Sequence, residues 1–227
     1  MRRTTAAVRS LRRAAARKRR TQQIHAYLST TDAPALHLGA GHNHLPGWLN
    51  TDRDVDAGTV QLDATKPFPL PERTFHLAFS EHLVEHLPRA AAAAMLRECH
   101  RVLVPGGTLR TATPDLAALM SLVDGSGGET GRRYARWLAE SYFAGEPGSD
   151  AAFAINQVMR GWGHRFLYDE QALRAVLVDA GFTEVRRQPL RDSPDPALRG
   201  LEDHGIPEGN EEMTRFETMC LEARKPA

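Results

Sequence analysis

Two groups of residues have the types and spacing to do chemistry. The first sits where short apolar runs end. Ala35-Leu36-His37-Leu38 runs into Gly39-Ala40-Gly41, and glycine there lets the backbone turn tightly and approach a ligand with no side chain between. Asp52 closes the run Trp48-Leu49-Asn50-Thr51, Asp63 follows Thr59-Val60-Gln61-Leu62, and Ser80, Glu81 and His82 follow Phe75-His76-Leu77-Ala78-Phe79. An acid at such a strand end can accept both hydroxyls of a ribose, the role open to Asp52. Asp63 and the Ala64 backbone can face an adenine. One strand-end acid is more often a turn former, but polar residues at successive strand ends are harder to explain that way. His44 stands where a dinucleotide fingerprint has its third glycine, which argues against NAD and a pyrophosphate.

The second group is His82, Glu85 and His86, an H-x-x-E-H run expected to open a helix. Positions three and four apart share a helical face, so the three side chains can converge. The plainer alternative is that Glu85 and His86 cap and brace that helix. His164, in Gly161-Trp162-Gly163-His164, is a further candidate, and Asp115 is a candidate substrate contact. Trp48 and Trp162 are expected to pack, with Trp162 close enough to His164 to border an acceptor.

The elements that must position these residues alternate. The strand candidates above are followed by an Ala-, Leu- and Met-rich helix from Arg89 to Leu103, stopped by Pro105-Gly106-Gly107, and by a strand over Thr108–Thr113. Residues 116–160 read as helices broken at Gly125-Ser126-Gly127-Gly128 and Gly145-Glu146-Pro147-Gly148. Another helix spans Asp169 to Ala180, with Asp169 as N-cap and Gly181 as stop, and Thr183–Val185 and Glu217–Glu222 are the last strands. This order implies an α/β fold, a mostly parallel sheet with helices on both faces, whose ligands bind beyond the carboxyl ends of the strands.

Composition narrows the class. A chain of 227 residues with 41% hydrophobic content can bury one core, and no run approaches a membrane-spanning length. Two cysteines, Cys99 and Cys220, without metal spacing suit a reducing, cytoplasmic setting. The net charge of +1 hides an asymmetry: residues 1–20 carry nine cations and no acid, leaving about −8 elsewhere. That arm is expected to be a solvated helix or tail; the alternatives are a cover for the site or a contact with an anionic surface. The acidic body lacks a broad basic face, which disfavours nucleic acid. A homodimer is one assembly the sequence allows.

The series LHLGAGHNHLPGWLNTD, LDAT, FHLAFSEHLVEHLP and RECHRVLVPGGTLRTATPD resembles the class I S-adenosylmethionine-dependent methyltransferases of small molecules over residues 35–187. The resemblance implies a Rossmann-like methyltransferase fold with a seven-stranded sheet. It implies cofactor contacts at Gly39, Ala40, Gly41, Asp52, Asp63, Ala64 and Ser80. The interval from the glycine loop to Asp52 is shorter than the family's, which makes Asp54 a second candidate for the ribose. The H-x-x-E-H run is similar to the E-x-x-E-H motif of small-RNA 2′-O-methyltransferases and ubiquinone-pathway O-methyltransferases. That likeness implies a divalent cation on His82, Glu85, His86 and His164, Mg by family, whereas the histidine content suits Mn, Co or Zn better. A cation would lower the pKa of a hydroxyl and fix its position; alternatively His82, His86 and His164 take the proton themselves.

Two segments, FHLAFSEHLVEHLP and INQVMRGWGHRFLYDE, are similar to bacterial methyltransferases of glycan assembly, so a sugar or other small-molecule hydroxyl is the expected acceptor. N- or C-methylation of a natural product, RNA methylation and a non-catalytic binding module are the alternatives. The expected organisation is a basic arm over 1–30 and a methyltransferase domain over 31–227. Within that domain a helical insertion is expected near 116–165 and a variable loop near 188–213.

Overall fold

The structure, a computed structural model, describes residues 2–55, 58–204 and 209–227, with side chains from residue 14 onward. Its elements are α1 (Arg2–Leu28), β1 (Ala35–Leu38), β2 (Leu49–Asp52), β3 (Val60–Gln61), β4 (Phe75–Glu81), α2 (Arg89–Val102), β5 (Leu103–Pro114), α3 (Leu116–Asp124), α4 (Gly128–Tyr142), α5 (Asp150–Arg160), α6 (Glu170–Asp179), β6 (Thr183–Gln188), α7 (Glu211–Glu217) and β7 (Thr218–Arg224). The basic arm therefore lies in helix α1, although the side chains of Arg2, Arg3, Arg9, Arg12 and Arg13 lie outside the described residues. Among the described residues no helix is long and apolar enough to cross a membrane.

The strands form one seven-stranded sheet in the order β3-β2-β1-β4-β5-β7-β6. All neighbours are parallel except β7, which runs antiparallel to both β5 and β6. This is the Rossmann-like methyltransferase fold. The order reverses between β1 and β4, and a crevice opens at the carboxyl ends of strands on either side of such a point. Gly39 follows β1 and His82 follows β4, so both candidate groups belong to that crevice.

Strand alternation divides the core. Leu36, Leu38, Ala78, Leu109 and Leu221 point to one face and are wholly or nearly wholly buried with Leu96 and Cys99 of α2 and Leu173 and Leu177 of α6. The other face is closed differently. Phe79 and Leu77 pack with Leu45, Trp48, Leu198 and Leu201, so the connection after β6, whose regular structure there is a 3-10 turn at Pro196–Leu198, takes the place of covering helices. The reason is the chain between the early strands: the segments joining β1 to β2, β2 to β3 and β3 to β4 hold no helix among the described residues. That also accounts for the short interval from Gly41 to Asp52.

A buried ion triad ties this covering segment down. Arg110 on β5 is fully buried; its Nε donates to Glu202 Oε1 at 2.5 Å and its Nη1 to Glu222 Oε1 at 2.7 Å, while further N–H groups reach the carbonyls of Asp192 and Pro189. Removing the arginine would leave two carboxylates without their counter-charge.

Several sequence expectations shift. Pro105-Gly106-Gly107 lies inside β5 rather than ahead of it: α2 ends at Val102, and a Cβ on Gly107 would sit 3.0 Å from the carbonyls of His76 and Val104. The glycine there admits a close backbone approach between β4 and β5. Glu217 ends α7 instead of opening the last strand. The helical stretch splits into α3, α4 and α5 with a small core of Leu119, Tyr134, Leu138, Ala154 and Val158. Asp169 caps α6 as its type suggests, accepting from the Ala172 amide at 2.7 Å.

Candidate active site

A cleft of about 560 Å³ opens at the ends of β1 to β4, lined by Gly39, Asp52, Asp63, Ala64, Leu62, Leu83, His86 and Trp162 among others. Gly39 and Gly41 have φ of +66° and +49°, a region glycine enters without steric cost. Nothing lies within 4 Å of where a Gly41 Cβ would be, whereas a Gly39 Cβ would meet Leu83 at 3.1 Å. The loop is held by Asp52, whose Oδ2 accepts from the Gly41 amide at 3.1 Å and Oδ1 from the Asp54 amide at 2.9 Å. Each oxygen keeps a lone pair for a further donor. The Ala40 amide bonds the Thr51 carbonyl at 3.0 Å, fixing the loop to β2.

Asp63 holds its own turn: Oδ1 accepts from the Thr65 amide and hydroxyl, and Oδ2 contacts Lys66 Nζ at 2.6 Å. Lys66 and Thr65 bring its pKa down to about 2. Bare glycine backbone, the Asp52 carboxylate and the apolar walls Leu62, Leu83 and Leu87 fit an adenosyl cofactor. Two candidates stand elsewhere. Ser80 is buried, its Oγ 3.0 Å from Thr111 Oγ1 between β4 and β5. Asp54 is exposed and pairs with Arg53.

The histidines are arranged otherwise than their spacing predicts. Residues 84–86 form a single 3-10 turn, and α2 begins only after Pro88. His82 adopts φ +44°, so His82 and His86 do not share an α-helical face. Pro88 is the physical reason: it forces an extended Leu87, with ψ 139°, before the helix can start.

His82 turns inward. Its Nδ1 lies 3.1 Å from Glu85 Oε1, its Nε2 lies 3.3 Å from Thr218 Oγ1, and its ring stacks on His204 at 4.0 Å. Burial alone would lower its pKa, but the Glu85 contact and the charges of Glu85, Glu217 and Glu81 push it up to about 9. Glu85 is wholly buried, and although burial raises carboxylates, His82 holds it below the usual range. Its other oxygen accepts from Thr113 Oγ1 at 3.0 Å. These two residues form a buried ion pair behind the cleft.

His86 turns toward the cleft. Its ring lies 4.7 Å from that of His164, and the ligand atoms of Glu85, His86 and His164 lie within 4.8 Å of one another. His164 Nδ1 is 2.5 Å from the Val158 carbonyl, which can only accept, so Nδ1 carries a proton and the ring is held in place. Burial lowers the His86 pKa against the opposing pull of Glu85, so that imidazole is neutral near pH 7. Trp162, 46% exposed at φ +51°, lines the cleft with an edge toward Tyr142; it is a wall of the site rather than a core residue. A cation would thus find three of the four expected ligands together; Glu85 Oε2 is bonded to Thr113, while Oε1 has only the ion contact with His82 and no hydrogen bond among the described residues.

Asp115, a candidate substrate contact, is engaged within the fold. It is 3% exposed, caps α3 by accepting from the Ala117 amide and pairs with Arg187 at 2.8 Å. Conversely, no local motif marks His204 and Glu217, which join His82 in a second cluster with ligand atoms within 4.8 Å. Glu81 fixes His204 by accepting from the Asp203 and His204 amides. Glu217 bonds Tyr134 of α4 closely and so ties the helical insertion to this cluster.

Residues 40–111 match the family model of a methyltransferase domain. No curated protein sequence matches the chain. Among solved structures, an S-adenosylmethionine-dependent methyltransferase from Archaeoglobus fulgidus is similar at 14% identity and a TM-score of 0.50, covering 92% of each chain. One from Mesorhizobium loti is 18% identical with a TM-score of 0.44, covering 86% of this chain and 91% of its own. Phosphoethanolamine N-methyltransferase 2 of Haemonchus contortus, complexed with S-adenosyl-L-methionine, is 12% identical with a TM-score of 0.47, and the match covers 91% of this chain but 52% of that one. The methyltransferase-domain match covers about a third of the chain, and the likeness to the Archaeoglobus fulgidus structure is a likeness of fold.

Proposed function

We propose that this chain methylates an oxygen of a small molecule, a sugar hydroxyl first among candidates, with S-adenosylmethionine held by Gly39, Ala40, Gly41, Asp52, Asp63 and Ala64. The observation that carries the oxygen assignment is His86: a neutral imidazole on the wall of the cofactor cleft, beside the oriented His164. An alcohol is a weak nucleophile, and a base within hydrogen-bond reach strengthens it. Bound S-adenosylmethionine supplies an electrophilic methyl group. His86 accepts the hydrogen bond of the acceptor's single O–H and takes that proton at a ring nitrogen as the oxygen bonds the methyl group, His164 holds the His86 ring edge-on, and Trp162 limits water. His82 acts from behind through Glu85, so it is a positioning residue here.

The same residues offer the alternative of a divalent cation, Mg or Mn, on Glu85, His86 and His164. The prior engagement of Glu85 favours the proton-accepting role. Turnover across sugars, other alcohols and amines, with and without EDTA, separates these readings. His86→Ala is expected to lower kcat by about 10²–10⁴ on alcohols while cofactor binding persists. Full activity in that variant, or turnover confined to amines, would end the oxygen assignment. Loss on chelation, restored by Mn, would move the role from base to metal ligand.

A further inference from the structure

A second pocket, of about 380 Å³, lies between α1 and the β3 edge of the sheet, lined by Arg17, Arg20, Arg53, Gln61, Lys66 and Pro67 among others. Methyl transfer makes no use of it. Arg17 and Arg20 are three apart on one face of α1. Ile24, four residues further on that face, is buried in the core, so Arg20 is partly buried against the body, with the exposed Arg17 one turn away at the pocket's rim. Neither makes a side-chain ion pair with any described residue, whereas Arg53 and Lys66 are engaged by Asp54 and Asp63. Arg20 Nε is buried with no hydrogen-bond acceptor. A desolvated donor without a partner costs on the order of 1–3 kcal/mol, and such a group calls for an acceptor from outside the chain.

We propose that this pocket binds a phosphate group of a small ligand, a phosphomonoester or diphosphate. Two guanidinium groups without an ion-pair partner among the described residues, flanked by Arg53, Lys66 and the Gln61 amide, supply more charge and more donors than one carboxylate would balance. A phosphate brings up to two negative charges and three acceptor oxygens, and guanidinium forks match them in pairs. A small ligand suits the place better than a macromolecule. The pocket is bounded and walled by Pro67 and Pro69, which fits a compact group better than an extended chain. Arg53 and Asp63 line both this pocket and the cofactor cleft, so the bound phosphate abuts the cleft. The site stands whether or not the cleft transfers methyl groups.

Calorimetry with pyrophosphate on the full chain at low ionic strength tests it. One site is expected, weakened at least tenfold in Arg17→Gln/Arg20→Gln, severalfold in Lys66→Gln, and by added salt. The control Arg132→Gln/Arg136→Gln, which removes the same charge from α4, should bind within twofold of the parent, and all variants should share its thermal transition. Three results would overturn the proposal: no binding to the parent, equal weakening by the control, or Arg17- and Arg20-dependent binding of a single-stranded oligonucleotide or anionic vesicle at least tenfold tighter than pyrophosphate.

Discussion

Replacing Glu85 by Gln tests the buried pair behind the cleft. The His82 pKa stands at about 9 in the folded protein against about 6.5 for a free histidine. A group whose pKa is raised on folding contributes stability that is complete below its unfolded value and disappears as pH rises through its folded value. At about 1.4 kcal/mol per pKa unit, His82 contributes on the order of 3 kcal/mol at pH 6, and that contribution is gone by about pH 9.5. In Glu85→Gln the amide keeps the Thr113 contact but supplies no charge, so His82 loses its largest upward influence. Urea denaturation from pH 6 to 9.5 at constant ionic strength should show the parent about 3 kcal/mol more stable than the variant at pH 6. Above pH 9 the gap should close or reverse, because Glu85 is then a buried anion without a counter-charge. A gap constant across this range would refute the ion pair, since a packing defect has no reason to titrate.

Two further outcomes follow from the same geometry. Arg110→Met should cost about 3–5 kcal/mol, visible as a lower thermal transition, because Glu202 and Glu222 would be left facing each other under the covering segment; a loss under about 1 kcal/mol would mean the triad does not hold that segment. The pH–rate profile on an alcohol acceptor should lose activity as pH falls through a pKa below 6.5 and stay level from pH 7 to 8.5, because His86 accepts protons only when neutral and burial lowers its pKa; an acid limb unchanged in His86→Gln would assign that limb elsewhere.

The strands and their terminal residues were legible because each rests on a local signal: a short apolar run, then glycine or an acid. Gly39, Asp52, Asp63 and Ala64 share the cleft for that reason. The Ser80 hydroxyl meets Thr111 across β4 and β5, a cross-strand pairing with no local trace. The H-x-x-E-H run was given helical geometry although Pro88 stood in the sequence to delay the helix, and that delay separates His82 from His86. Other partnerships had no local trace. His82 with Glu217, Arg110 with Glu202, and Glu81 with the His204 amide join residues about a hundred positions apart, and only the closed sheet brings them together. A charged residue in mid-strand, such as Arg110, is the one hint available, because burying it requires acids from elsewhere.

Titrating the full chain with S-adenosylhomocysteine in a calorimeter tests the cofactor cleft most directly. One site should saturate in the parent. Gly39→Val should bind at least tenfold more weakly, because its side chain would enter at φ +66° against Leu83. Folded parent protein that takes up neither S-adenosylhomocysteine nor S-adenosylmethionine, or a Gly39→Val variant that folds and binds undiminished, would contradict the assignment of that crevice.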